Sequence, residues 1–66
     1  IMSNEKSMKE ILLAELNKEI KAGSIKKSDA VLAVDIFDEE MEDGHSDGEA
    51  LYRALDEVNF IKAMGK

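Results

Sequence analysis

The segment Asp43-Gly44-His45-Ser46-Asp47-Gly48-Glu49 gathers the side chains best suited to chemistry in this chain. Asp43, His45, Asp47 and Glu49 alternate, and each offers oxygen or nitrogen to a metal ion. Read as an EF-hand loop opening at Asp43, the segment places Gly48 correctly at the sixth position. It then fails, because the third position is His45 and the twelfth, which needs a bidentate Glu, is Ala54. Glu42 and His45 also carry the Glu-x-x-His spacing of carboxylate-bridged di-iron bundles. That site needs a second such pair and two further Glu on continuous helices. Here Gly44 interrupts the helix and His45 is the single His. A turn followed by a helix cap explains the same residues.

Other chemistries find less support. There is no Cys, so thiolate nucleophiles, disulfides and thiolate metal sites are all excluded. Ser46, His45 and Asp47 are adjacent and cannot adopt the geometry of a catalytic relay. Gly44 and Gly48 lie among acids that would repel phosphate. The expectation is a protein that is not an enzyme and uses no cofactor and no metal.

Charge narrows the partners. The 66 residues hold 15 acids against 9 Lys and Arg, a net charge of −6. Residues 1–27 are net +2, whereas residues 28–66 are net −8. Nine acids and no Lys or Arg lie between Asp29 and Glu49. Such a stretch repels nucleic acid, and the third helix lacks the basic, amide-rich face of a DNA-reading helix. Direct nucleic-acid binding is therefore not expected. No apolar run reaches the length of a membrane span and no signal-peptide core is present, so the expected location is cytoplasmic, away from membranes. Met2, after Ile1, reads as an initiator, which makes a whole small protein the expectation.

The elements that position these residues are helices. A hydrophobic share of 44% is too high for a disordered chain, and Pro is absent. Ser7 and Glu10 form a capping box for a first helix over about 7–22, with Ser3 a rival cap, and Gly23 ends it. Met8, Leu12, Leu13, Leu16 and Ile20 form its apolar face. A second helix, about 28–43, starts at Ser28 or Asp29 and stops at Gly44. Its main stripe is read as Ala30, Val31, Val34, Phe37 and Met41. Ser46 and Glu49 form a second capping box, opening a third helix over about 47–64 that Gly65 closes. Leu51, Ala54, Leu55, Val58 and Ile61 form its seam. Short connections make adjacent helices antiparallel. The expected fold class is all-α: a small three-helix bundle in one domain.

Two surface features remain. Asp35, Asp38, Glu39, Glu42 and Asp43 crowd the later turns of the second helix, the end where anions are least favoured. Leu32, Ile36, Phe60, Ala63 and Met64 lie off the main stripes, giving more apolar surface than one small core needs. A chain this short is marginally stable alone, and association is one remedy. The expectation is a helical homodimer joined through the second and third helices, with a protein partner besides. The leading functional reading is a binding or regulatory protein, an inhibitor or adaptor, of a kind that by analogy alone suggests a phage source. The apolar residues hold the partner and the acidic face steers it. The alternatives are a DNA mimic whose carboxylates imitate phosphates, and a structural module whose only task is self-association.

Overall fold

A computed structural model of the chain describes residues 7–65, and within them the secondary structure is three helices and their turns. Helix α1 spans Met8–Ala22, α2 spans Lys27–Glu42 and α3 spans Asp47–Met64. The all-α, three-helix expectation holds.

Local chemistry sets the helix ends. The Ser7 hydroxyl accepts the Glu10 N–H at 3.1 Å, and the Glu10 carboxylate accepts the Ser7 N–H at 3.1 Å. This reciprocal pair satisfies amides that the first turn leaves free. Ser3 lies outside the described residues. At the far end Gly23 takes φ 80°, a left-handed conformation that costs other residues strain, and its N–H bonds back to the last turn. Gly44 ends the α2 region the same way at φ 93°.

Two caps differ from the sequence reading. Helix α2 begins one residue earlier than expected, at Lys27, with Lys26 in the cap position. Asp29 does not cap the helix itself; its carboxylate reaches back to accept the Lys26 N–H at 2.9 Å. At α3 the Ser46 hydroxyl accepts the Glu49 N–H at 3.2 Å, but the reciprocal bond is absent. The Glu49 carboxylate is turned instead towards Arg53 and His45.

The core is thin and rich in small side chains. Leu12, Leu16, Ile25, Ala33, Phe37, Ala50, Ala54 and Val58 are buried. Met8, Ile20, Ala30, Val34, Ile36, Leu51, Leu55 and Ile61 pack around them. Helices α2 and α3 make the most extensive contact, and α1 lies against both more lightly. The expected seam of α3 is the one observed, extended by Ala50.

The stripe of α2 is rotated from the expected one. Val31 is 60% exposed and Met41 43%, whereas Ala33 is completely buried. Helix α3 covers the side bearing Ala33 and Ile36, so the buried strip centres on Ala33 and Phe37. On α1, Leu13 was expected inside but is 43% exposed. It lies on the edge of the contact with α2. Ile25, in the connection after Gly23, is buried and plugs the end of the core.

This packing makes two expectations about stability. Leu12→Ala removes a completely buried side chain and should cost about 2–5 kcal/mol. Ala54→Leu adds volume where the helices leave none and should cost about 1–3 kcal/mol. Urea unfolding followed by circular dichroism measures both. A neutral Ala54→Leu would show that the α2–α3 seam has room to spare.

Candidate functional site

One ion pair joins each pair of helices, and together they set the level of every surface residue. Lys9 Nζ of α1 lies 3.1 Å from Asp38 Oδ1 of α2. Arg53 Nε of α3 lies 3.2 Å from Glu40 Oε1 of α2. Lys62 Nζ of α3 lies 3.2 Å from Glu19 Oε2 of α1. The Lys9–Asp38 pair is half exposed and contributes about 0–1 kcal/mol.

The Glu19–Lys62 pair is different, and the sequence reading missed it. Glu19 is a buried charged residue. The hydrogen bond from Lys62 holds its carboxyl below the ordinary glutamate range, against the opposing effect of burial, with help from Glu15 and Ser24. A signal was present: Glu19 falls three residues after Leu16 and seven after Leu12, in phase with the core.

The segment that looked most chemical is engaged in structure. Glu40 and Glu49 share the guanidinium of Arg53, whose Nη2 lies 3.3 Å from Glu49 Oε2. His45 sits between the same two carboxylates, 3.5 Å from each. Glu40 Oε1 is buried beside Arg53 without a well-aligned hydrogen bond. Among the described residues, no three metal-ligating side chains converge. A cation, the guanidinium, already occupies the space between the carboxylates. It also offsets part of the repulsion at the end of α2.

The residues singled out for binding are placed as follows. Leu32, Phe60, Ala63 and Met64 are exposed, while Ile36 is half-buried against the core. Phe60 is 60% exposed and Met64 68%. Arg53, Glu57, Phe60 and Met64 follow helical spacing along one stripe of α3, and Arg53 marks that stripe as the one beside α2. On α2, Glu40, Ile36 and Leu32 likewise form one stripe. With the helices antiparallel and Glu40 level with Arg53, Leu32 comes level with the turn holding Phe60 and Met64. These side chains therefore flank a single seam, on the side of the α2–α3 layer away from α1. Ala63 adjoins Phe60 on the outer edge.

Asp35, Glu39 and Glu42 on the outward face of α2, and Asp43 just past its end, are exposed and make no ion pair among the described residues. Asp38 does not join them freely, because Lys9 holds it. The apolar seam is thus bordered by Glu39 and Asp35 on α2, and by Asp56 and Glu57 on α3. Among the described residues, no helix is long and apolar enough to cross a membrane.

No protein-family model matches this chain, and neither a curated protein nor a solved structure matches it.

The depressed Glu19 carboxyl makes stability depend on pH in a definite direction. The unfolded chain binds this proton at higher pH than the folded one. The pair's contribution is therefore complete above the ordinary glutamate value and is lost as pH falls through the folded value. Glu19→Gln should be less stable than the native chain at pH 7, and the gap should narrow in acid as pH falls through the folded value. Urea melts of both proteins at pH 7 and in acid check this. A gap that persists unchanged in acid would remove the ion pair as its cause.

Proposed function

We propose that this chain is a small non-enzymatic binding protein, an inhibitor or adaptor, that docks another protein on the outer α2–α3 seam. The observation that carries the reading is the exposure of Leu32, Phe60 and Met64, which helical spacing and the Glu40–Arg53 register bring to one seam. Large apolar side chains scattered singly on a surface need no explanation, but a contiguous group on one seam marks an interaction site. Phe60 and Met64 suit such a role. An aromatic ring buries much area at low entropic cost, and a flexible thioether adapts to an irregular partner.

The border gives the partner its chemistry. Asp35, Glu39, Asp56 and Glu57 surround the seam with negative charge. The fitting partner is an apolar patch rimmed by Lys and Arg. Opposite rims raise the rate of encounter and fix orientation, while the apolar centre holds the complex. A second reading, in which α2 imitates the phosphates of DNA, draws support from the four unpaired carboxylates on its outward face and just past its end. It has less, because Asp38 and Glu40 are taken up by Lys9 and Arg53.

A synthetic amphipathic helical peptide, with Leu on one face, Lys and Arg on its borders and a single Trp, provides a direct test. The protein contains no Trp, so the emission reports the peptide alone. Binding should weaken at least about fivefold in Phe60→Ala and in Met64→Ala, and moderately at high salt. Equal binding of a matched peptide with an acidic border would sink the reading. Binding that ignores both truncations yet collapses in Glu39→Lys and Glu42→Lys would favour mimicry of DNA.

A further inference from the structure

A second apolar surface lies on the other flank of α2, in the groove between α1 and α2. It is an open cleft of about 280 Å³ lined by Leu13, Leu16, Asn17, Ile20, Ala30, Val31, Val34 and Asp35. Leu13 and Val31 stand at its edges, both substantially exposed.

The charges around this groove have an order that the α2–α3 seam lacks. On α1, Glu10, Leu13, Asn17 and Lys21 follow one stripe, acid first and base last. On α2, Lys27, Val31, Asp35, Asp38 and Glu42 follow one stripe, base first and acid last. The Lys9–Asp38 pair fixes the two helices as antiparallel neighbours, with Leu13 level with Val34. Lys21 and Lys27 therefore share one end of the groove, and Glu10 and Glu42 share the other. The apolar residues lie between. Rotating such a surface by half a turn brings its basic end over an acidic end and its apolar centre over an apolar centre. It is complementary to itself, as a twofold interface must be.

We propose that the α1–α2 groove receives a second copy of this chain across a twofold axis. Leu13 and Val31 of each copy fill the other's groove. Lys27 meets Glu42 of the second copy, and Lys21 meets its Glu10. The two Asp35 carboxylates come near the axis and oppose each other, which limits affinity. This moves the self-association from α2 and α3, where the sequence reading put it, to α1 and α2. On the outer α2–α3 seam a second copy would meet Asp35, Glu39, Asp56 and Glu57 with the same acids. The proposal stands apart from the function proposed above, which uses the opposite flank.

Sedimentation equilibrium of the full chain over a range of concentrations tests it. A dimer is expected. Leu13→Lys and Val31→Lys should each raise its dissociation constant about tenfold or more while leaving helix content unchanged, and should remove the concentration dependence of melting. Lys27→Glu should weaken the dimer, and adding Glu42→Lys to the same chain should restore it. Asp35→Asn should tighten it. A monomer at concentrations up to about 1 mM would overturn the proposal. So would a dimer indifferent to Leu13→Lys and Val31→Lys but broken by Phe60→Lys, since that would place the contact on the α2–α3 seam. A monomer leaves peptide binding at that seam untouched, whereas a dimer through Phe60 would compete with the peptide, so the two readings fail separately.

Discussion

The close packing of α2 against α3 through small side chains is the constraint on which the rest of the molecule depends. Ala33, Ala50 and Ala54 have no accessible surface. Small residues let helix axes approach towards the short end of the usual 8–10 Å range. The register set by Glu40 and Arg53 brings the bulky Phe37 near Ala54 and the small Ala33 near Val58 and Ile61. Large therefore meets small along the seam, which fills space at the density of a protein interior. Alanine, however, removes little apolar area from water. Much of the hydrophobic stabilisation falls to Phe37, Val58 and Ile25, and to Leu12 and Leu16 supplied by α1. That helix must lie across the α2–α3 pair to deliver them. It covers one side of the layer and leaves the other open.

Charge then fixes the arrangement that packing permits. Each pair of helices has one ion pair, and the three bridges lie at different places in the bundle. Exposed pairs add little energy. Glu19 is the exception in kind. Buried in phase with Leu12 and Leu16, it requires Lys62, since removing the partner of a buried charge costs more than forming the pair returns. The link holds the far ends of α1 and α3 together, where α1 would otherwise rest lightly.

The helix ends were legible in the sequence because they are set by neighbours three or four residues apart. Ser7 with Glu10, Ser46 before Glu49, Gly23 and Gly44 all act locally. The phase of α2 was not legible for an equally physical reason. Ala30, Val31, Leu32, Ala33, Val34, Ile36, Phe37 and Met41 surround much of the helix, so periodicity has no single direction to report. The choice was made by the fit of Ala33 against α3, and Ala carries little weight in any hydrophobic pattern. Ile25 sits in a turn and belongs to no period. At the candidate surfaces, Leu32, Phe60 and Met64 could be singled out as surplus, but their meeting on one seam needed the register. Val31 and Leu13 were hidden by their assignment to the core.

The outward face of α2 now has a meaning that composition could not supply. Asp35, Glu39 and Glu42 form a ridge between two apolar strips, one holding Leu13 and Val31 and the other Leu32, Phe60 and Met64. Without the ridge the strips would merge across α2 into one broad apolar surface, of the kind that associates without discrimination. Charges placed between hydrophobic segments act as gatekeepers against such association. The ridge also distinguishes the strips. Towards the α1–α2 groove it is balanced by Lys21 and Lys27 at the opposite end. Towards the α2–α3 seam it faces Asp56 and Glu57, and the Arg53 cation on that flank is already shared by Glu40 and Glu49. Under the two proposals, one helix face thereby makes one flank complementary to itself and the other complementary to something basic.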